Sequence, residues 1–437
     1  MSLPQLALRD RARAVTSDPV LVNSALVFAT TLMMAGGGAV FWVVAARLQS
    51  AEDVGLAGSL VSAADSLALF AQLGLNITLM RTMPISRRKA ADVATASLVV
   101  FTAGAGFALL YCLLLPLTAP PLTEVLGSPW TIGLYCLLVA GTALNVLTDS
   151  IFLSINRVWS YLRLNGILLV VVKLGLPFLL VGAGSLGLYG AAGGATLLCA
   201  VASVVVIFRH VPGRRSLSPS RELLGAGRFA GAGYATYVLH VIPQMVLPLL
   251  VINALGAAGG GVFFISFQIA TLQNAILLAV ANSTYAESER VPDGRRRVVR
   301  RGGITMGVYS LAGIAVMFVM APYFLHIFGS SYADEGTTTL RILSFSTLAT
   351  AFNYWSAIRL RLSRHLRSMI LVQAVSTVVM LALAVVAAPH GTAWVAAAWG
   401  VGHLVGGVVG YVASLTVAPF GDTAPETEQA EPVKESA

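Results

Sequence analysis

The sequence predicts an all-α polytopic membrane protein, with twelve transmembrane helices in two six-helix lobes related by a pseudo-two-fold axis along the membrane normal. Three observations carry that expectation: an apolar composition, arginines crowded into every second loop, and a weak internal repeat. Hydrophobic residues make up 57% of the 437 and charged residues only 11%, against about 25% charged in soluble domains. Mean hydropathy is +0.81. The net charge of +9 reads as topology signal beside anionic head groups, not as a nucleic-acid surface.

The spans read from the sequence are 20–46, 54–79, 93–117, 131–153, 161–182, 186–208, 229–254, 257–284, 303–328, 339–358, 368–388 and 392–417. Each is long enough for a hydrocarbon core that takes about 20 helical residues. Helices are required because lipid offers backbone groups no partner. Arg9, Arg11 and Arg13 precede the first span, and Arg81, Arg87, Arg88 and Lys89 follow the second. Further arginines follow the fourth (Arg157, Arg163), the sixth (Arg209 to Arg228), the eighth (Arg290 to Arg301) and the tenth (Arg359 to Arg367). Apart from Lys434 in the tail, only Arg47, Lys173 and Arg341 lie elsewhere. Basic residues stay in the cytoplasm when loops are short, so both termini are expected inside.

The domain reading follows. A basic cytoplasmic N-terminus covers 1–19, the N-lobe 20–208, a cytoplasmic linker 209–228, the C-lobe 229–418 and an acidic, disordered cytoplasmic tail 419–437. A shift of 206 positions places Gly37 on Pro243, Gly55 on Gly261, Asn76 on Asn282 and Pro116 on Pro322. With a small gap, Leu126-Gly127-Ser128 falls on Phe328-Gly329-Ser330. Six helices per half is an even number, so both halves keep one orientation and pair about the membrane normal.

Candidate functional residues come from what lipid disfavours. Gly36, Gly37 and Gly38 in the first span and Pro243 and Pro248 in the seventh are expected to weaken their helices at matched positions. Such breaks point to a central cavity; close helix packing is the alternative. Asp65, Asp149 and Lys173 are ionisable residues within spans, each costing roughly 2.5–3.5 kcal/mol unless paired or wet. Asp65 lies roughly 16 Å from the outer end of its span and Lys173 roughly 18 Å from the inner end of its own, at 1.5 Å per residue. They are the depth-matched pair, either a buried salt bridge or cavity charges. Asp149 lies within about 6 Å of its inner end, within reach of water or a loop arginine. His240, Gln244, Gln268, Gln273 and Asn274 add polar groups in the seventh and eighth spans. An amide-rich cavity suits sugar hydroxyls, although interhelical hydrogen bonds explain the same residues.

Cys112, Cys136 and Cys199 fall inside apolar stretches and read as small core residues. No hydrolase, metal or nucleotide-binding pattern stands out, and no phosphate loop supplies an ATP motor. No cofactor and no metal are expected. The short outer loops leave no room for the catalytic domain of a membrane glycan polymerase, so the chain is expected not to be an enzyme.

The stretch Ala46-Arg47-Leu48 through Glu52-Asp53-Val54-Gly55, with Gly74-Leu75 and Arg81, resembles the start of bacterial polysaccharide flippases of the multidrug/oligosaccharidyl-lipid/polysaccharide exporter superfamily. Ile327-Phe328-Gly329-Ser330-Ser331-Tyr332 and Leu340-Arg341-Ile342-Leu343 resemble that family's segment between helices 9 and 10. The resemblance covers about 20–418. It implies a bacterial plasma (inner) membrane flippase that moves a polyprenyl-diphosphate-linked oligosaccharide by alternating access, for surface polysaccharide biosynthesis. Lys173 suits the pyrophosphate by its chemistry, although no family motif marks it. The related lipid II flippases generally have fourteen spans, from which this chain departs. The rival reading is a multidrug or metabolite antiporter of the same superfamily, with H⁺ or Na⁺ as coupling ion at an acid such as Asp65.

Overall fold

The computed structural model describes residues 19–416, apart from 215 and 364. The expected N-terminal basic segment and acidic tail therefore lie almost wholly outside the described residues. Membrane helices in chain order are α1 (Pro19–Leu48), α2 (Ala51–Phe70), α3 (Lys89–Thr118), α4 (Pro129–Ser154), α5 (Val158–Leu180) and α6 (Gly184–His210). Then come α7 (221–255) and α8 (257–290), which run on from one another across Gly256. The set closes with α9 (Arg295–Phe328), α10 (Ser330–Leu362), α11 (Leu366–Ala387) and α12 (Thr392–Thr416). The fold is all-helical, in two six-helix lobes, and the chain is a multi-pass membrane protein.

Among the described residues, ten helical segments are long and apolar enough to cross a membrane, and one of them, Tyr234–Arg290, runs through the later part of α7 and all of α8. Helix α10 is not among them. Its sequence is the most polar of the twelve, yet Thr339, Ser344, Ser346, Thr347, Thr350, Asn353 and Ser356 are all buried. Packing between α9 and α12 covers these polar residues. Several of the hydroxyls bond to their own helix, as Thr350 does to the Ser346 carbonyl at 3.1 Å and Ser356 to that of Asn353 at 2.8 Å. Such bonds let Ser and Thr enter a membrane core at little cost. The expected second span is also shortened. Helix α2 ends at Phe70, and a turn with Leu73 at φ 48° and Gly74 at φ 77° starts a separate helix, Leu75–Thr82.

Packing repeats with the sequence. Contacts of α3 with α4, α4 with α6 and α5 with α6 return as α9 with α10, α10 with α12 and α11 with α12. The largest contact between the two sets joins α2 to the α7–α8 pair, and it is reciprocal. A Cβ on Gly55 would run into the Ala257 carbonyl oxygen, and one on Gly261 into the Ala51 carbonyl oxygen. Each of these residues lies 206 positions from its counterpart, as does Gly58 from the Phe264 ring that covers it. Two equivalent surfaces thus meet across a local two-fold, and only glycine allows the backbones so close. The turns that launch the two helices are equivalent as well. Ser50 caps α2 by accepting the Asp53 N–H at 3.1 Å, and Gly256, at φ 77°, separates α8 from α7. That φ is open to glycine without strain.

The helix breaks expected at Gly36–Gly38 and at Pro243 and Pro248 are not there. Helix α1 runs through all three glycines, and inside 221–290 the backbone leaves helical geometry only at Gly256. Glycine fits helical dihedrals, and prolines are tolerated in membrane helices that neighbours support. Gly37 is buried where α1 crosses Val170 of α5, while Gly36 and Gly38 have open space beside them. The expected linker 209–228 is shorter in the structure, because α6 runs to His210 and α7 starts at Arg221, and it is anchored where α7 begins. Ser220 caps α7 by accepting the Leu223 N–H at 3.2 Å, and its own N–H donates to the buried Asp92 carboxylate at 2.6 Å.

Candidate functional site

Helices α2 and α8 begin together at the end of the molecule that carries few arginines and run towards the basic end. Past their exposed first residues the contact between them is dry. Residues 260–267 of α8 are buried on every side, and Trp42 meets Phe264 edge-on with ring centroids 4.5 Å apart. Beyond Phe264 the helices part around a small open cleft lined by Ser62, Asp65, Ser66, Leu69, Gln244, Phe267, Gln268 and Thr271. Asp65 is exposed within it, and Leu272, Ala275 and Ile276 of α8 are exposed further along.

Helical periodicity explains the lining. Ser62, Asp65, Ser66 and Leu69 recur every three or four residues on α2, so they share one face. Gln268 and Thr271 do the same on α8, and the Thr271 hydroxyl donates to the Gln268 backbone carbonyl at 2.8 Å. Asp65 and Thr271 are repeat equivalents. The repeat therefore places a carboxylate on one wall and a hydroxyl on the other, and Asp65 is the charged residue of the lining. Chemically, the cleft offers a carboxylate, two amides and hydroxyls on an apolar floor.

Of the sequence candidates, the cleft brings together Asp65, Gln244 and Gln268. Lys173 lies outside the lining but within electrostatic range of Asp65. Its ammonium lies over the Phe41 ring, 5.1 Å from the centroid, a cation–π contact that adds to the attraction of the carboxylate. His240 shares a face with Gln244 one turn away, but its ring packs 6.1 Å from that of Tyr354 and 6.5 Å from that of His403. Gln273 is buried between α8 and α9, its amide directly over Gly313. Asn274 is buried beside it in sequence with its amide oxygen lacking a partner. The three cysteines are free thiols, two buried and one half-buried.

Two polar clusters inside the lobes escaped the sequence reading. Between α4, α5 and α6, Asn165 donates to the Asp149 carboxylate. The same Asn165 accepts from the Asn145 amide at 2.9 Å and from the Cys199 thiol at 2.9 Å. Asn165 is wholly buried and sits in a π-helical stretch, Leu162–Leu168, that interrupts α5. Such stretches are frequent at functional sites. Asp149 is thus held by a buried amide, where its depth had suggested water or a loop arginine. The signal was present, because Asn145 and Asp149 are four apart on one helical face. In the second lobe, His403 bonds through Nδ1 to the Asn353 amide at 3.0 Å and packs edge-on against Trp399 at 4.6 Å.

No family model matches the sequence, and no curated protein matches it significantly. Solved structures do match. A multidrug resistance MATE family transporter of the MOP superfamily, in an inward-facing conformation, is 17% identical and superposes with a TM-score of 0.67, over 89% of this chain and 94% of that one. The chain has the MATE transporter fold. A MOP superfamily transporter from Pyrococcus furiosus, described as having a binding pocket of reversed polarity that suggests a different function, is 17% identical with a TM-score of 0.60, over 92% and 96% of the two chains. The Vibrio cholerae MATE transporter VcmN, in a singly substituted form, is 16% identical with a TM-score of 0.54, over 91% and 97%. These neighbours are transporters, and at such identities they establish the fold alone.

Proposed function

We propose that the protein is a cation-coupled transporter that exports a cationic or amphipathic organic solute from the cytoplasm by alternating access. The observation that carries this reading is the charge of the cleft. Asp65 stands exposed on its wall with neutral amides and hydroxyls opposite. A carboxylate on the cleft wall attracts an organic cation and repels a pyrophosphate. Lys173, the group best suited to a pyrophosphate, lies outside the lining, over Phe41 and within electrostatic range of Asp65. The MATE likeness supports the same class. Arginine placement makes the basic end cytoplasmic, so the cleft lies on the cytoplasmic side of the glycine crossing, in keeping with likeness to an inward-facing transporter. Asp149, with its buried amide partner, is the carboxylate placed to take the coupling H⁺ or Na⁺.

A lipid-linked oligosaccharide is the second reading, favoured by Gln244, Gln268, Ser62 and Ser66 as partners for sugar hydroxyls. Transport in proteoliposomes separates the two. A proton or sodium gradient should drive ethidium movement, and Asp65→Asn should reduce it at least about ten-fold, the loss of roughly one charged contact. Ethidium movement indifferent to Asp65→Asn, with translocation of a polyprenyl-diphosphate-linked sugar by the same vesicles, would overturn the first reading in favour of the second.

A further inference from the structure

Three basic residues break the topology rule, and one of them explains how the arginine-poor end is held shut. Arg47 lies in the last turn of α1, exposed, on the side from which short-loop arginines are otherwise absent. Its guanidinium reaches into the other lobe. Nε donates to the Ile327 carbonyl at 2.8 Å and Nη2 to the His326 carbonyl at 3.0 Å. Both carbonyls belong to the final turn of α9, which ends at Phe328. The last carbonyls of a helix have no partner within it and carry the negative end of its dipole, so a guanidinium fork satisfies two at once.

The repeat supplies a counterpart. The position 206 residues beyond Arg47 is Asn253, in the last turn of α7. Its side-chain amide also crosses to the other lobe and donates to the carbonyl of Thr118, the final residue of α3. Thus α1 reaches the end of α9 while α7 reaches the end of α3. These are the first and third helices of each half, exchanged between halves. Glycines Gly55 and Gly261 cross between them, at the start of the next helix in each half.

We propose that Arg47 and Asn253 are a matched pair of lobe-to-lobe latches, which flank the glycine crossing and hold the arginine-poor end closed until both release. The latches are unequal. Arg47 makes two charge-assisted bonds and Asn253 one neutral bond, so Arg47 sets most of the closing force. The inference rests on the transporter reading only for the idea that this end opens. The latches themselves stand on hydrogen bonds and on the repeat.

The test measures distance and needs no substrate. Spin labels at Glu124, exposed in the short helix Pro120–Val125 that follows α3, and at Ser331, exposed in the first turn of α10, report the separation of the lobes at this end in the full-length protein in nanodiscs. The parent protein should give a dominant short distance. Arg47→Ala should raise the ratio of long to short distances by about ten-fold, the scale of a charged hydrogen bond. Asn253→Ala should raise it less, and the double substitution most. Asn253→Arg in the Arg47→Ala background should restore the short distance, a rescue that general damage to the fold would not give. Unchanged distributions in both single variants and the double would overturn the proposal, as would Asn253→Ala opening the end more than Arg47→Ala. Loss of ethidium transport plays no part in this readout, so the latches can fail while the function stands, and the reverse.

Discussion

Around Gly55 and Gly261 the helices α2 and α8 touch backbone to backbone. Some ten residues further along, or about 15 Å at 1.5 Å per residue, Asp65 and Thr271 face a cleft that water enters. The two regions belong to the same pair of helices and obey the same repeat, so topology does not distinguish them. Side-chain size and polarity do. Small residues in the first turns let the helices close without a gap, and Phe264 and Trp42 seal what remains. Serines, a carboxylate and two glutamines occupy the next turns, where closure would leave polar groups without partners. One contact is stable because it is dry, the other open because drying it is costly. Alternating access needs that inequality to be reversible.

Enlarging a glycine at the crossing attacks the closed region most directly. Gly55→Leu forces a side chain into the Ala257 carbonyl, and overpacking of this kind costs roughly 1–3 kcal/mol or more. Transport should fall to background and lobe separation at the arginine-poor end should rise; retention of both at parental levels would contradict the account. Next in size is the open region. Asp65→Asn should leave protein levels in the membrane unchanged and cut ethidium movement about ten-fold, measured in proteoliposomes. A third change, Asn165→Ala, leaves Asp149 buried without its donor. It should cost roughly 1–3 kcal/mol, read as a lowered Tm, with the cleft intact. The smallest effects separate two adjacent glycines of α1. Gly36→Ala meets open space and should stabilise slightly, by about 0.5–1 kcal/mol. Gly37→Ala brings a Cβ within 2.6 Å of Val170 and should lower the Tm of detergent-solubilised protein.

Much of the architecture was legible in the sequence. Arginine spacing counts helices because it reports a transfer cost that every loop must meet, and the 206-residue shift found Gly55 and Gly261 before their contact was visible. The candidate site was only partly legible. Asp65, Gln244 and Gln268 reach the cleft, but Gln273 and Asn274, on the same helix as Gln268, point into packing. Composition cannot tell these apart, because the face a residue presents depends on where its helix is rotated in the bundle. Depth along the membrane normal matched Lys173 to Asp65, and the two do lie within electrostatic range, but depth could not show that the ammonium also rests on the Phe41 ring. Glycine and proline suggested breaks in α1 and α7, whereas within 221–290 the backbone departs from helix at Gly256, where the positive φ demands glycine. Helix α10 shows the same limit from the other side, since its polar sequence is buried by neighbours far away in the chain.

The central claim is that the Asp65 cleft is reached from the arginine-rich face while the glycine crossing and its latches seal the other. Accessibility of a cysteine placed at Ser62, on the cleft wall, tests it most directly. In a protein with Cys112, Cys136 and Cys199 replaced, a membrane-impermeant maleimide should modify Ser62→Cys at least about ten-fold faster in inside-out than in right-side-out vesicles, a ratio equal to roughly 1.4 kcal/mol in favour of the inward-open state. Faster modification from the right-side-out face would contradict the account.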